Sequence, residues 1–501
     1  MADFYQEYKP FRNFLQQFGL QESLVNVWRY SLLVMDKIPL PPRYIQDIPS
    51  GFDPRSVLHA WELDILSREL VLNAATIGPR SLRNWNDLAK TVNHLRHLDG
   101  VAFMEGNGGK PDVLFELHRI AHRQFPFTDT GIFPVMRAVK VLGATAVDQI
   151  AQRELGLSAR QFFRLGVAVA GHFNHSWGLS TAQDYSVIQI SAAATRTFFN
   201  RLTIRLADLK AELKTLQRYD EDWYFTWNPL EGKPLVAIDP AYPDRVMCPI
   251  PRYLLRRSFG GLFYDLVKAS DFDNSFGHSF QNYVGEVLAK TCLPPNFTLR
   301  AVRPYVFKGE TFHGTDWILS DRTGHVFIEA KTKRLTVNAR VSSDTAALQK
   351  DLKVLAAAVA QNYRNIQDAL DGKTEWVNDG LPSYPLILTL EDWYIFSPRV
   401  KLILDQEILN ALAVENIDPK VLIEMPWQIA SAHELEIASQ LIAQVGVKAV
   451  MGGKKPEQQG WSLLPVLQEL FATEMRNVNY HLFSDDFLAL VPEARPPISA
   501  Q

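Results

Sequence analysis

Two carboxylates and a lysine stand in the stretch 313–334, which reads HGTDWILSDRTGHVFIEAKTKR. Two apolar runs flank a turn signal at 321–324, and this order predicts a β-hairpin. With a two-residue loop, Asp316 lies opposite Glu329, and directly paired Cβ atoms are about 4.5–5.5 Å apart. Lys331 is two residues beyond Glu329 and therefore on the same face. Carboxylates at this separation can share a divalent cation, and the lysine can orient a water or stabilise a phosphate.

The register of this hairpin depends on its turn. If Gly324 adopts a left-handed conformation and forms a bulge, the pairing shifts by one residue and Asp316 faces Ala330 instead. We expect the unbulged register, because two opposed carboxylates are costly unless a cation lies between them. This preference presumes a metal, so the sequence leaves the bulged alternative open.

The residues around the hairpin resemble a known enzyme family. An Asp, 12 intervening residues and a Glu-x-Lys (GTDW…FIEAK) resemble the PD-(D/E)xK nuclease pattern, and the resemblance covers about residues 270–370. Thr315 stands where the family usually has a proline. Glu286, in FGHSFQNYVGEVLAK, stands on the preceding helix, where many members carry an acidic residue. Gln361 and Tyr363, in VAQNYRNIQ, resemble the glutamine and aromatic residue that some members carry on the following helix.

This resemblance implies a metal-dependent deoxyribonuclease. Asp316, Glu329, Lys331 and Glu286 are the expected catalytic residues, and Mg²⁺ or Mn²⁺ is expected on Asp316, Glu329, the Ala330 carbonyl and Glu286, the last directly or through water. Lys331 is expected to orient the attacking water and stabilise the transition state. Products with a 5′-phosphate and a 3′-hydroxyl are implied. A helical array joined to such a domain is typical of a restriction-like or phage-defence effector.

Two other functions stay open at this point. One is a non-catalytic scaffold, in which the nuclease fold and the amino-terminal helices hold a protein partner. The other is an RNA-processing enzyme on the same fold. A test of metal binding distinguishes the non-catalytic scaffold from a nuclease. Digestion of RNA in parallel with DNA distinguishes the RNA-processing enzyme. The sequence leaves homo-oligomerisation open as well.

The distribution of charge favours a local contact with nucleic acid. The formal net charge is -3, so the surface as a whole is not basic. Residues 300–340, however, include eight basic residues and only four acidic ones. Basic clusters of this kind can contact phosphates. The residues expected to contact nucleic acid are Lys333, Arg334, Arg303, Lys350, Lys353, Gln361 and Tyr363.

Composition restricts the class of protein. Of 501 residues, 47% are hydrophobic and 21% are charged, which is typical of a globular protein. The two cysteines, Cys248 and Cys292, have no CxxC spacing, which argues against a zinc ribbon and against a secreted disulfide scaffold. No stretch approaches the roughly 20 apolar residues of a membrane span, and the amino terminus is too polar for a signal peptide. We therefore expect a cytoplasmic protein without a membrane partner.

Periodicity predicts an α/β (α+β) fold. Apolar residues at three- and four-residue spacing predict helices over roughly the first 220 residues, including one at 191–216. A mixed central sheet flanked by helices, the restriction-endonuclease-like arrangement, is expected to follow. The expected domains are a helical domain for substrate or partner binding at 1–230, a nuclease-like domain at 231–435, and a helical extension packed on it at 436–501.

The predicted elements of the second half follow from runs and turn signals. Strands are predicted at 223–227, 233–238, 245–250, 298–307, 314–320, 324–331, 384–390, 393–397 and 421–429. Helices are predicted at 252–268, 276–292 and 344–370. Ser431 with Glu434 predicts a capping box at the start of a further helix.

Overall fold

The computed structural model describes residues 4–45, 47–105, 113–127, 133–307, 309–342, 345–455, 458 and 461–492. Over these residues the chain is a mixed α/β protein in which helices predominate. None of the described helices combines the length and the apolar character that a membrane span requires. The helices before the first strand are α1 (Phe4–Leu15), α2 (Leu20–Asp36), α3 (Pro42–Ile45), α4 (Ala60–Asn73), α5 (Trp85–Glu105), α6 (Val113–Gln124), α7 (Phe133–Leu142), α8 (Thr145–Leu155) and α9 (Ala159–Phe173).

A small sheet follows these helices. Its strands are β1 (Gly178–Ser180), β2 (Thr203–Arg205), β3 (Leu235–Ala237) and β4 (Arg245–Met247), and their order is β1-β4-β3-β2. Because β2 separates α10 (Ala192–Leu202) from α11 (Leu206–Leu216), the prediction of one helix over 191–216 is wrong. Thr203 and Ile204 pair with β3 in parallel, and β-branched residues favour this extended state.

Two further predictions in the middle of the chain need correction. The strand predicted at 223–227 is a 3-10 turn at Trp223–Phe225. The helix predicted at 252–268 is divided into α12 (Pro251–Ser258) and α13 (Phe263–Leu266). Two adjacent glycines, at 260 and 261, lie between them, and glycine weakens a helix interior.

The central sheet has five strands. The strands of this region are β5 (Thr298–Ala301), β6 (Tyr305–Phe307), β7 (Glu310–Phe312), β8 (Trp317–Asp321), β9 (Gly324–Lys331), β10 (Ser383–Thr389) and β11 (Gln428–Ser431). The sheet has the order β11-β10-β9-β8-β5, whereas β6 and β7 pair only with each other. β8 is antiparallel to both of its neighbours, β5 and β9, whereas β9, β10 and β11 are parallel. The sheet is therefore mixed, as expected.

Helices cover both faces of this sheet. They are α14 (Phe272–Thr291), α15 (Val337–Val341), α16 (Ala346–Leu370), α17 (Pro398–Val414), α18 (Val421–Glu424), α19 (Ala432–Val445), α20 (Val447–Met451), α21 (Leu463–Leu470) and α22 (Ser484–Leu490). On one face, Val326 and Ile328 pack in a cluster with α14 and α19. On the other face, Phe327 packs with Ile366 of α16. Alternating residues of β9 are thus buried on opposite sides, which explains its nearly continuous apolar run.

Two strand predictions at the carboxyl-terminal side differ from the structure. Residues 393–397 are described and contain no strand. The predicted strand at 421–429 is α18 followed by β11. The capping box at the start of α19 is confirmed, since the Ser431 side chain accepts from the Glu434 N–H and the Glu434 carboxylate accepts from the Ser431 N–H.

The unbulged register of the β8–β9 hairpin is confirmed. Trp317 pairs with Ile328, and the ladder continues to Asp321 opposite Gly324. The Asp321 carboxylate explains the tight turn, because it accepts hydrogen bonds from the N–H groups of Thr323 (2.7 Å) and Gly324 (3.1 Å). Its second oxygen accepts from the first N–H of α20 at 2.9 Å. The turn is therefore held both internally and by a helix.

The amino-terminal helices contact the rest of the chain through buried polar groups. Asp64 of α4 is fully buried, pairs with Arg123 of α6, and accepts hydrogen bonds from Tyr253 and Asn228. A ring nitrogen of His118, also on α6, lies 3.1 Å from the carbonyl oxygen of residue 394, beyond β10. One apolar cluster likewise joins residues of α7–α10 to the central sheet. The boundaries predicted at 230 and 435 stay predictions.

Close packing of α14 on β8 depends on a glycine. A Cβ at Gly285 would lie 2.2 Å from Cζ2 of Trp317, whose indole N–H donates to the Gln281 carbonyl at 2.9 Å. Gly285→Ala is therefore expected to reduce the free energy of unfolding by about 1–3 kcal/mol through overpacking.

Gly277→Ala is the matched control on the same helix. Nothing lies within 4 Å of its added Cβ, so the substitution is expected to be neutral or to stabilise by up to about 1 kcal/mol through helix propensity. Urea denaturation of both variants measures the difference. Equal effects at the two positions would contradict this packing of α14 on Trp317.

Candidate active site

Asp316 lies immediately before β8 and is held from two sides. Its backbone N–H donates to the Ile328 carbonyl at 3.1 Å, which fixes it at the end of the β8–β9 ladder. Its Oδ2 accepts from the Ala330 N–H at 2.7 Å, and its Oδ1 accepts from Nε2 of Gln281 at 2.6 Å. Both carboxylate oxygens thus have defined directions before any ligand binds.

Glu329 lies in the middle of the sheet and is only 3% exposed. Its Oε1 accepts from the Lys331 Nζ at 2.7 Å. Its Oε2 is buried and has no hydrogen-bond partner among the described residues. Lys331 Nζ also donates to Oε1 of Gln361 at 3.1 Å, so β9 and α16 together orient the amine. Hydrogen bonds therefore join Glu329, Lys331 and Gln361, and the charges of Glu329 and Lys331 interact with that of Asp316.

Burial determines the protonation of the two carboxylates. It raises the pKa of Glu329 to about 7, an increase that Lys331 opposes and the nearby Asp316 carboxylate reinforces. Burial also raises the pKa of Asp316, against the Ala330 N–H, Lys331 and His278, which favour the charged form. Two acids with raised pKa values side by side can bind a cation that offsets their repulsion.

The sequence predictions missed Gln281. It lies on α14 four residues before Gly285, so the two residues share the helix face that contacts the hairpin. His278 lies three residues before Gln281 on the same side, and its charge acts on Asp316. The signal that could have identified this face is Gly285 itself, because a glycine inside a long helix often indicates close packing.

The structure places Glu286 away from this group, which corrects its expected role as a metal ligand. Its carboxylate lies 3.1 Å from the Lys140 Nζ and its side chain is half exposed. The reason is helical geometry, since one residue beyond Gly285 turns the side chain by about 100° away from the hairpin. Among the described ranges, no cluster of three or more His, Cys, Asp or Glu side chains that could hold a metal is found.

Two of the predicted nucleic-acid contacts are occupied within the protein. Tyr363 is buried, and its hydroxyl donates to the Met425 carbonyl at 2.7 Å, so its predicted contact with nucleic acid is wrong. The Arg334 guanidinium stacks 4.1 Å from the centre of the Phe263 ring and pairs with Glu391, with a side chain only 9% exposed. The predicted contact of Arg334 is corrected for the same reason, because its guanidinium is already engaged by the Phe263 ring and Glu391.

The other residues predicted to contact nucleic acid differ in their exposure and ion pairing. Lys333 forms an ion pair of 2.7 Å with the buried Asp351 and is partly exposed. Arg303, Lys350 and Lys353 are exposed. On α16, Lys353 lies about two turns and Lys350 about three turns before Gln361, roughly 12 and 16 Å along the axis. The exposed side of α16 therefore carries positive charge two to three turns along the helix from Gln361, which contacts Lys331.

The oxygen atoms around Glu329 suit a hard divalent cation. Glu329 Oε2 is a buried carboxylate oxygen that lacks a partner among the described residues, and the Asp316 carboxylate is adjacent. In a strand, the N–H and C=O of one residue point to the same neighbouring strand. Because the Ala330 N–H points to Asp316, the Ala330 carbonyl lies on that side as well. Mg²⁺ and Mn²⁺ prefer such ligands.

Titration of Glu329 makes the stability of the protein depend on pH. A carboxyl group whose folded-state pKa exceeds the ordinary 4.5 binds its proton more tightly when folded, so stability falls as pH rises from about 4.5 to about 7. In Glu329→Gln this loss is absent. Urea denaturation at pH 5 and at pH 8 measures this difference. From pH 5 to pH 8, the free energy of unfolding of the variant is expected to rise relative to that of the wild type by a few kcal/mol, which is on the order of the pKa shift. A pH-independent difference would contradict the raised pKa.

Comparison of the chain with protein-family models, curated proteins and solved structures gave no match. The chemistry of the site is therefore inferred from this chain's own residues. Those residues are two adjacent carboxylates with raised pKa values, an amine fixed between a carboxylate and an amide, and a glutamine that holds Asp316 from α14.

Proposed function

We propose that the chain is a metal-dependent nuclease that hydrolyses phosphodiester bonds in DNA. The observation that carries this proposal is the buried Oε2 of Glu329, which has no partner among the described residues and lies beside the Asp316 carboxylate and the Lys331 amine. An orphaned, ionisable oxygen in a sheet interior is costly unless it serves a ligand. A divalent cation is the ligand that this set of oxygens fits.

The fold around the hairpin supports the same function. The order of elements is helix (α14), antiparallel strands (β5, β8, β9), helix (α16) and a parallel strand (β10). A mixed sheet flanked by helices is what the resemblance to PD-(D/E)xK nucleases implies for this region. In this arrangement the carboxylates lie at the β8–β9 pair, α14 supplies Gln281 to the Asp316 carboxylate, and α16 supplies Gln361 to the Lys331 amine.

Each residue of the site would have a separate role in hydrolysis. Asp316, Glu329 Oε2 and the Ala330 carbonyl would hold Mg²⁺ or Mn²⁺, which supplies a bound water of lowered pKa and offsets charge on the phosphate. Lys331 has three N–H donors, of which Glu329 and Gln361 accept two. The third can donate to the attacking water or to a phosphate oxygen. Gln281 keeps the Asp316 carboxylate aimed towards β9.

The cleavage assay uses plasmid DNA, linear DNA and single-stranded RNA with Mg²⁺ or Mn²⁺. Cleavage of DNA is expected to leave 5′-phosphates, and Asp316→Ala, Glu329→Ala and Lys331→Ala are each expected to reduce it by at least about 100-fold. Glu286→Gln is the control and is expected to retain activity, because its carboxylate pairs with Lys140 instead.

The outcomes distinguish the proposal from its alternatives. Unchanged activity in any one of the three alanine variants contradicts the role of that residue. Preferential cleavage of RNA would instead support an RNA-processing enzyme. A wild-type protein that neither cleaves nor binds Mn²⁺ at millimolar concentration would support a non-catalytic scaffold, since the carboxylates would then have no cation to share.

The lysines on α16 support a path for the nucleic acid beside the site. Lys350→Glu with Lys353→Glu is expected to weaken DNA binding and to lower the magnitude of the salt slope of log K by about 2, one for each phosphate that a lysine no longer neutralises. Mn²⁺ affinity should not change. Lys214→Glu, an exposed lysine on α11, is the matched control. Equal losses in the α16 and α11 variants would rule out a specific path along α16.

A further inference from the structure

Helix α16 directs three amide side chains at the strands that carry the carboxylates. Gln361 accepts from Lys331, as described above. Asn362 is completely buried and Asn365 is 3% exposed. A leucine has the same number of side-chain heavy atoms and would bring no polar group to satisfy. Buried amides are costly without hydrogen bonds, so their partners indicate what they do there.

Asn362 connects three segments of backbone. Its Nδ2 donates to the Phe327 carbonyl at 3.0 Å and to the Leu386 carbonyl at 3.4 Å, which lie on β9 and β10. Its Oδ1 lies 3.4 Å from the Thr315 hydroxyl, whose single proton it shares with the nearer Ile328 carbonyl. One side chain thus links the strand of Glu329, its parallel neighbour and the residue before Asp316.

Thr315 is the second member of this network. It is 2% exposed, and its hydroxyl donates to the Ile328 carbonyl at 2.8 Å. With the Asn365 amide oriented to satisfy both neighbours, its oxygen accepts from the Thr315 N–H and its nitrogen donates to the His313 carbonyl, each at 3.1 Å. The backbone on the amino-terminal side of Asp316 is therefore held by β9 and by α16.

We propose that Thr315, Asn362 and Asn365 are positioning residues that fix the Asp316 carboxylate relative to Glu329. The ladder of β8 begins at Trp317, so one hydrogen bond, to the Ile328 carbonyl, holds the backbone of Asp316 to β9, whereas Glu329 is paired with β10. The three side chains add the constraint that a continued ladder would give. A metal site needs its ligands held within about 0.5 Å, and loss of a supporting hydrogen bond weakens metal affinity by roughly 10–100-fold.

The consequence for metal binding rests on the proposed function, whereas the constraint on Asp316 does not. Two measurements on the 501-residue chain distinguish the effect on metal binding from the constraint on Asp316. One is the Mn²⁺ dissociation constant from calorimetry. The other is hydrogen exchange, by mass spectrometry, of a peptide containing Ala330, whose N–H donates to the Asp316 carboxylate.

Thr315→Val removes the hydroxyl and keeps the shape of the side chain. It is expected to raise the Mn²⁺ dissociation constant by about 10-fold and to accelerate exchange at Ala330. Thr315→Ser restores the hydroxyl and is expected to restore both values. Asn365→Ala, which removes the acceptor of the Thr315 N–H, is expected to act in the same direction as Thr315→Val.

Thr91→Val is the matched control for the loss of a buried hydroxyl. Thr91 is completely buried on α5, and its hydroxyl donates to the Asp87 carbonyl at 2.7 Å. Its replacement is expected to lower stability as Thr315→Val does, without changing Mn²⁺ affinity or exchange at Ala330. If the wild-type protein does not bind Mn²⁺, the proposed function is wrong. Hydrogen exchange at Ala330 then tests the positioning role by itself. Unchanged exchange in Thr315→Val, or an equal change in Thr91→Val, would overturn the proposal.

Discussion

The burial of the Glu329 carboxylate beside that of Asp316 is the constraint on which the site depends. β9 lies between β8 and β10, and helices cover both faces of the sheet. The Glu329 side chain, near the carboxyl end of β9, is therefore enclosed by strands and helices. Removing a carboxylate from water favours its neutral form, and a second carboxylate beside it strengthens this effect. Lys331 offsets only part of the cost, because it reaches one oxygen of Glu329 and leaves the other without a partner among the described residues.

Two helices hold this group from opposite faces of the sheet. α14 approaches β8 closely through Gly285, and Gln281 then contacts Asp316 from one side. α16 contributes Gln361 to the lysine and Asn362 to the backbone of β9 and β10. The carboxylates therefore do not rely on the hairpin alone, and their arrangement exists before a ligand binds. Such preorganisation is what a site needs in order to stabilise charge during a reaction.

The sequence predicted the local geometry of this site better than its surroundings. The turn signal and apolar runs predicted the hairpin, the two opposed carboxylates favoured its unbulged register, and β9 was predicted with its observed limits. Glu286 was chosen for its charge, yet the helix turns Gln281 to the hairpin instead. The predicted roles of Tyr363 and Arg334 are wrong because both side chains are engaged by neighbours distant in sequence. Helical periodicity likewise continued through 203–205, where pairing with β3 imposes a strand.

The central claim is that Asp316, Glu329 and the Ala330 carbonyl hold one divalent cation. Anomalous scattering from a crystal soaked in Mn²⁺ above pH 7, where Glu329 is ionised, tests it most directly. We predict one anomalous peak at about 2.0–2.3 Å from an oxygen of each carboxylate. The Lys331 Nζ should then lie outside the coordination sphere. A fully soaked crystal with no peak between these carboxylates, and with the Glu329–Lys331 ion pair unchanged, would contradict the account.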